Sequence, residues 1–497
     1  MEPTAPLPMA RTDVFAPVPQ SMLDAGTYVD QFDAVRQRSS HRVAVVDQDR
    51  SVTYDELWRT AAAIAGQLRA RGCRRGDRIA IDQPNSAAWV ESFLGIMLAG
   101  GVAVPIDHKA PQSQKDFVAQ DAEARWILHH APATETSHQL VTRPRPTDLA
   151  VLLYTSGSTG RPKGVMITHA NLASYQEVTA GYLRLEPGRV IRNLIAIPLW
   201  HSAGLNTQLL PTLALGGQVI VAPGTGPDSI LPMIKRWQPD VMFAVPVVFQ
   251  RLLDATTDDR TVMRSLVDVH FGAASTPQRL VRDLSRAMPW ARLGNAFGMT
   301  EISNVALFLP HDRLDQAAGS VGFPVPGVRC EIRDPDTSGR GALYLTGPNL
   351  AAGYWRRPEL TAEAFVDGWI RSGDVAEIGD GGAVYLRDRI DDVINRGGEK
   401  VYSTTVEEAL LELPNVLEAA VVAVPDEHLG SRIGALLVTR RGSAEDYDRQ
   451  LVREQLRDKL PRYALPDVVI CRQEPLPRGS AGKVLKNQVA AQMMEPS

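Results

Sequence analysis

Between about residues 50 and 320 one pattern repeats: a short apolar run of strand length, then a longer segment with helical spacing. The runs read "DRIAID", "VAVPI", "LAVLLYT", "NLIAIPL", "QVIVAP", "DVMFAV" and "DVHFGAA". Ahead of the first stands "SVTYDELWRTAAAIAGQLRARG", a helix with its punctuation intact. Thr53 and Glu56 make a capping box, Leu57, Ala61, Ile64 and Leu68 share one face, and Gly72 stops it. Strands that are apolar throughout are buried on both faces, so the pattern predicts parallel sheets covered by helices.

The character changes after about residue 320. "VRCEIRD", "GALYLTG" and "GAVYLRDR" are short strands separated by Gly, Pro and Asp turns, which predicts a small antiparallel subdomain. The charged, glycine-bearing stretch "RDRIDDVINRGGEK" then interrupts. A compact α+β pattern follows: helix "TTVEEALLEL", strands "EAAVVAV" and "IGALLVT", helix "YDRQLVREQLRDKL", strand "DVVIC". In that first helix Thr404 and Glu407 have capping-box spacing. The expected fold class is therefore α/β, with a large N-terminal domain over 1–390 and a C-terminal α+β domain over 391–497.

Composition removes several function classes. The formal net charge is -4, so no basic field points to nucleic acid. The most apolar stretch, "SFLGIMLAGGVAVPI", is broken by Gly100, Gly101 and Pro105 and is shorter than the roughly 20 residues of a membrane span. The N-terminal "MEPTAPLPMARTDVFAPVPQ" lacks the apolar core of a signal peptide and reads as a loose tail. Cys73, Cys330 and Cys471 show neither metal spacing nor obvious pairing, which suits free thiols in a reducing cytoplasm.

The chemistry starts at residues 154–164, "YTSGSTGRPKG". This is not the nucleotide loop G-x-x-x-x-G-K-[ST], because Pro162 stands where a glycine is needed and Gly164 follows Lys163. Its composition still suits phosphate. Backbone N–H groups at Gly157 and Gly160, hydroxyls of Thr155, Ser156, Ser158 and Thr159, and the Lys163 charge can surround anionic oxygens. A glycine–serine tract is also what a flexible linker looks like, but linkers do not follow directly on a buried strand.

"YTSGSTGRPKGVMITHANL" resembles the signature loop of the adenylate-forming superfamily, which holds acyl-CoA synthetases, peptide-synthetase adenylation domains and beetle luciferases. "PLWHSAGL", "NAFGMTE", "RSGDVAEIGDGGAVYLRDRIDDVINRGGEKV" and "PRGSAGKVLK" follow in that family's order, so the resemblance spans about residues 50 to 490. It implies ATP-dependent conversion of a carboxylate to an acyl-adenylate and then a thioester, with ATP, Mg²⁺ and CoA. Thr300 would meet the α-phosphate, and Glu301, with Thr155, the Mg²⁺. Phe297 would stack on adenine where the family usually has tyrosine, Asn295 would reach its polar edge, and Gly298 and Met299 complete that strand end. Gly272, Ala273 and Ala274 would flank adenine and the acyl group. Asp374 and Arg389 would hold the ribose. Lys483 would bridge carboxylate and phosphate from the C-terminal domain. Asp391 matches the family's hinge, and Gly397, Gly398 and Glu399 its pantetheine tunnel, where close approach of a thiol arm suits glycine. Ser403 and Thr405 replace a frequent Pro and Glu.

Amino-acid-activating relatives usually carry an Asp beside position 200 or 201. Here Trp200 and His201 stand in that place with no acid, so the resemblance implies a sizeable apolar carboxylic acid. His201 reads either as a pocket wall or as a satisfied core histidine. No carrier segment follows Lys483, so the expected acceptor is CoA or a free-standing acyl carrier protein. A non-catalytic adenylate-binding relative is the alternative, and the presence of Lys483 and Glu301 argues against it.

Overall fold

A computed structural model of the chain describes residues 9–15, 26–131, 141–155, 161–182, 190–440, 447–479 and 484–494. Among these, the apolar runs form two sheets. The first has the order Trp126–Leu128, Arg78–Ile81, Val102–Pro105, Leu149–Thr155, Lys163–Thr168, parallel except for its last strand. The second has nine strands. Its centre, from Val43–Val46 through Gln218–Val221, Arg192–Ile195, Val241–Ala244 and Asp268–Gly272 to Arg292–Met299, is parallel. Antiparallel strands close both edges.

The helix Tyr54–Ala70 begins at the expected capping box, with both Thr53–Glu56 bonds made. It packs on the helix Ala87–Leu98, whose Trp89, Val90, Phe93, Ile96 and Met97 are all buried. Even its Glu91 and Ser92 are buried, because protein covers the helix on nearly every side. No described helix is long and apolar enough to cross a membrane.

After residue 320 the expected antiparallel sheet forms from Arg329–Arg333, Gly341–Thr346, Trp369–Ile378, Phe365–Val366 and Val384–Arg389. The C-terminal part has a hairpin of Ile394–Arg396 and Glu399–Val401, and a sheet of Val416–Asp426, Gly430–Thr439 and Val468–Arg472. Helices Ser403–Leu411, Arg449–Leu456 and Lys486–Met494 accompany it. Buried Ile394, Val406, Leu410, Val421, Ile433 and Leu456 give this part its own core.

Two expectations need correction. Residues 9–15 are not a loose tail. Phe15 is buried in the core beside Phe308, ring centroids 6.3 Å apart, and the Arg11 N–H bonds Gly382 O at 3.0 Å. Thr404 and Glu407 do not form a capping box either. The helix Ser403–Leu411 starts one residue earlier, and Glu407 Oε1 instead accepts from the Val421 N–H at 2.8 Å and from Lys486 Nζ at 2.9 Å. The Ser403 N–H at the buried head of that helix is taken instead by Asp388.

Candidate functional site

The strand Leu149–Thr155 ends in Thr155, whose register partner is Lys163 at the start of the next strand. The two ends of the glycine-rich loop are therefore held side by side. Its middle, Ser156, Gly157, Ser158, Thr159 and Gly160, lies outside the described residues, as does Lys483. Thr155 Oγ1 is buried with no hydrogen-bond partner among the described residues. Buried hydroxyls are rarely left so, and a ligand oxygen at the loop would satisfy it.

Lys163 does not point into solvent. Its Nζ donates to Tyr354 Oη at 2.8 Å, lies 3.9 Å from that ring's centroid and 3.7 Å from Glu301 Oε1. Tyr354 Oη donates in turn to Glu301 Oε1 at 2.8 Å. Burial, with the Glu301 charge, pushes the Tyr354 phenol well up, so it stays a neutral donor. The backbone explains how Tyr354 arrives there. Residues 352–355 add to the strand Lys163–Thr168 through Ala352 N to Met166 O, Met166 N to Gly353 O and Trp355 N to Gly164 O, while Ala351 N bonds Glu301 O. One short segment thus ties the lysine strand to the glutamate turn. Sequence reading missed Tyr354, since its partners lie 191 and 53 residues away.

Glu301 and Thr300 sit in the 3₁₀ turn Thr300–Ile302, directly after the strand Arg292–Met299. Both are buried. Thr300 Oγ1 is 3.3 Å from Ser202 Oγ, a second residue the sequence did not single out. His201 Nδ1 accepts the Ala203 N–H at 3.1 Å and caps the turn that carries Ser202. Burial pushes the His201 imidazole down to about 4, so it is neutral and free to accept. Trp200 crosses its ring edge-on at 6.0 Å. His201 therefore has a structural bond as well as a place beside the site.

The strand Arg292–Met299 also carries Asn295, Phe297, Gly298 and Met299, so one element runs from the expected adenine wall into Thr300 and Glu301. A Cβ at Gly272 would stand 2.0 Å from Ala296 O, and one at Gly298 2.3 Å from Asn304 O. Neither position admits a side chain, because the neighbouring strand's backbone passes too close. Ala273 is left-handed at φ +60°, a conformation uncommon for alanine. Asn295 Nδ2 donates to Ser320 O at 3.2 Å, and Phe297 is half-buried at the edge of the core. Asp374 and Arg389 are register partners on adjacent strands, with Arg389 Nη1 2.9 Å from Asp374 Oδ1.

The residues present fit magnesium carried by a nucleotide. Among the described residues no group of three or more His, Cys, Asp or Glu could hold a metal. Mg²⁺ characteristically takes one or two carboxylates and leaves its other positions to water and substrate phosphates. Glu301, buried and 3.7 Å from Lys163 Nζ, would supply one such carboxylate.

At the junction, Asp391 lies in the turn Ile390–Asp392. Asp388, three residues before it, accepts from the Ser403 N–H and, at 2.9 Å, from Ser403 Oγ. Lys486 completes the cluster, donating to Ser403 Oγ and lying 3.8 Å from Asp392 Oδ2. Burial pulls the Lys486 ammonium down, but Glu407, Asp388 and Asp392 outweigh it and hold it above its usual value. Burial pushes the Asp388 and Glu407 carboxyls up. Gly397 and Gly398 have φ of +60° and +93° in the hairpin turn. Positive φ at two central residues is what such a tight turn needs, so the turn accounts for both glycines without a thiol arm.

Tyr354→Phe tests the polar chain. Removing a hydroxyl that bridges a charged lysine and carboxylate should cost about 1.5–3 kcal/mol, roughly a 10- to 100-fold loss in kcat/KM for MgATP. Steady-state kinetics at varied MgATP checks it, with the melting temperature near that of the parent.

The sequence profile described as "AMP-binding enzyme" matches residues 32–143 and 130–355, and "AMP-binding enzyme C-terminal domain" matches 405–483. The chain is 34% identical over 480 residues to a feruloyl-CoA synthase of Amycolatopsis sp, covering 91% of this chain and 96% of that one. It is 25% identical over 528 residues to a long-chain-fatty-acid–CoA ligase of Bacillus subtilis, covering 92% and 93%. The solved o-succinylbenzoate CoA synthetase of Bacillus subtilis, in complex with its acyl-adenylate intermediate, superposes with a TM-score of 0.83 at 26% identity, over 92% of this chain and 97% of that one. With the loop ends and the Lys163–Tyr354–Glu301 chain in place, and on these matches, the chain belongs to the AMP-binding enzyme family, the adenylate-forming superfamily.

Proposed function

We propose that the protein activates an apolar carboxylic acid with ATP to an acyl-adenylate and then passes the acyl group to CoA. The observation that carries this reading is the Lys163–Tyr354–Glu301 chain next to Thr300 and Thr155. It gathers a cation, a carboxylate for Mg²⁺ and hydroxyls where a triphosphate has to be held. A carboxylate is a poor electrophile at neutral pH. Attack of its oxygen on the α-phosphorus expels pyrophosphate and leaves AMP as a good leaving group. The thiolate sulfur of CoA then attacks the acyl carbon, the C–O bond to AMP breaks, and the thioester and AMP depart. Magnesium supplies charge neutralisation on the phosphates. Lys163, Thr300 and the loop orient them, Asp374 and Arg389 hold the ribose, and Lys483 neutralises charge developing between carboxylate and α-phosphate.

The C-terminal part from residue 391 is the moving domain in this reading, turning about Asp391 to exchange Lys483 for the face that admits CoA. The protein works in the cytoplasm, in keeping with Cys73, Cys330 and Cys471 being free thiols. Acid-dependent ATP–pyrophosphate exchange tests the first half. Trp200 and Ser202, not an acid, flank neutral His201 in the sequence, so a substrate ammonium would be desolvated without a partner there, at a cost of several kcal/mol. Apolar acids should support exchange and standard amino acids should not. Robust exchange with one amino acid would reject the substrate class, and exchange with none would reject the enzyme.

A further inference from the structure

The turn Thr300–Ile302 has to hold the Glu301 carboxylate and the Thr300 hydroxyl at fixed angles, yet it is short and ends in strain. Ser303, the residue that closes it, is left-handed at φ +58°, a conformation uncommon outside glycine. Such a backbone persists only where its surroundings over-determine it. Here two other segments take three of the turn's carbonyls in succession. The Ala351 N–H donates to Glu301 O at 2.9 Å, Asn349 Nδ2 to Ile302 O at 2.8 Å, and Asn206 Nδ2 to Ser303 O at 2.6 Å.

Two of those three donors are side-chain amides in the core. Asn349 is fully buried and Asn206 is 1% exposed. Each amide is only half-satisfied, since Asn206 Oδ1 and Asn349 Oδ1 have no hydrogen-bond partner among the described residues. Flipping either amide would set its oxygen against a carbonyl oxygen, so the orientation is fixed. A buried carbonyl oxygen left unpaired costs about 1–3 kcal/mol. These amides are therefore poor core fillers, and what each supplies is a donor aimed at one turn carbonyl. Both are anchored to the rest of the site. Asn206 lies in the helical turn Leu205–Leu209, which continues the segment bearing Ser202, and Asn206 O accepts from Asn304 Nδ2 at 2.7 Å. On either side of Asn349, the carbonyls of Pro348 and Leu350 accept from Asn171 Nδ2 at 3.0 and 2.9 Å. Asn171 Oδ1 accepts in turn from the N–H of Thr168, at the end of the strand that starts with Lys163.

We infer that Asn349 and Asn206 are positioning residues for the metal: by holding the Ile302 and Ser303 carbonyls they fix the direction in which the Glu301 carboxylate meets Mg²⁺ on the bound nucleotide. Magnesium demands near-ideal octahedral geometry, so a small rotation of this turn weakens the metal's hold more than that of the nucleotide alone. This inference rests on the reading of Glu301 as the magnesium carboxylate given above.

Calorimetry reads this without turnover, in the absence of any acid. ATP binding is measured with Mg²⁺ and with EDTA, and the ratio of the two dissociation constants is the metal's contribution. In Asn349→Leu, which roughly keeps the side-chain shape and removes the donor, that ratio should fall by about 10-fold, as on losing a hydrogen bond that orients a metal ligand. The dissociation constant in EDTA should stay close to that of the parent. Adding Asn349→Leu to Glu301→Gln should change the ratio no further, because the carboxylate it directs is already gone. A parental ratio in folded Asn349→Leu overturns the inference. So does equal weakening of ATP with and without Mg²⁺, the result a general loss of packing would give. If Asn349→Leu does not fold, Asn206→Leu decides by the same measurement. Failure of both to fold also overturns the inference, because the amides would then serve the fold and not the turn. A parent that binds ATP equally with and without Mg²⁺ overturns the Glu301 reading and the inference with it. Pyrophosphate exchange then shows separately whether acid activation survives.

Discussion

Lys483→Ala is expected to lose acid-dependent pyrophosphate exchange by at least about 10²–10³-fold, because it removes a cation aimed at charge that develops in the transition state. The same variant should still make thioester from synthetic acyl-adenylate and CoA, since that step uses the other face of the C-terminal part. The described residues on either side of Lys483 are tied into the C-terminal part. Arg478 and Val484 form a β-bridge, Leu485 N bonds Pro477 O at 2.8 Å, and Arg478 pairs with Glu418 on the C-terminal sheet. Three residues on, Lys486 is fastened to Glu407 and Ser403. Each half-reaction is measured separately on folded protein. Equal loss of both halves would contradict the two-face arrangement.

The second large effect is expected at Asp391. Proline fixes φ near −65° and pushes the preceding Ile390 away from helical angles, so Asp391→Pro should trap one arrangement. Acyl-adenylate formation should stay within a few-fold of the parent while thioester formation falls by orders of magnitude. The surrounding contacts sharpen this expectation. Asp388 belongs to the strand Val384–Arg389, before the turn, yet its carboxylate accepts from Ser403 at the head of the helix after it. Rotation about Asp391 must break those bonds. If Asp391 were a plain surface turn, proline would slow both halves alike through instability, or neither. Rates of the two halves at a matched melting temperature distinguish these outcomes.

How much was legible beforehand follows from the range of each interaction. The helix Tyr54–Ala70 was readable from Thr53 and Glu56 because its capping box closes within three residues. The parallel sheets were readable because burial on both faces leaves an unbroken apolar run, as in Val102–Pro105. Thr300 and Glu301 stood out by resemblance, and the structure places them together in one turn. Tyr354 was invisible because nothing local marks it. It becomes a link between Lys163 and Glu301 only once residues 352–355 add to a distant strand. Glu407 was misread for the complementary reason: its capping-box spacing is real, but Lys486, some eighty residues later, claims the carboxylate. Phe15 sits in a proline-rich stretch whose composition says nothing of the core it joins.

The central claim is that the acid's own oxygen joins the α-phosphorus before CoA displaces it. Oxygen-18 in the substrate carboxylate reports this directly. After turnover with ATP, Mg²⁺, CoA and a labelled acid that supports pyrophosphate exchange, the account requires AMP carrying one labelled oxygen, thioester retaining the other, and unlabelled pyrophosphate. Label in inorganic phosphate, with ADP as the nucleotide product, would mean an acyl-phosphate route and contradict the account.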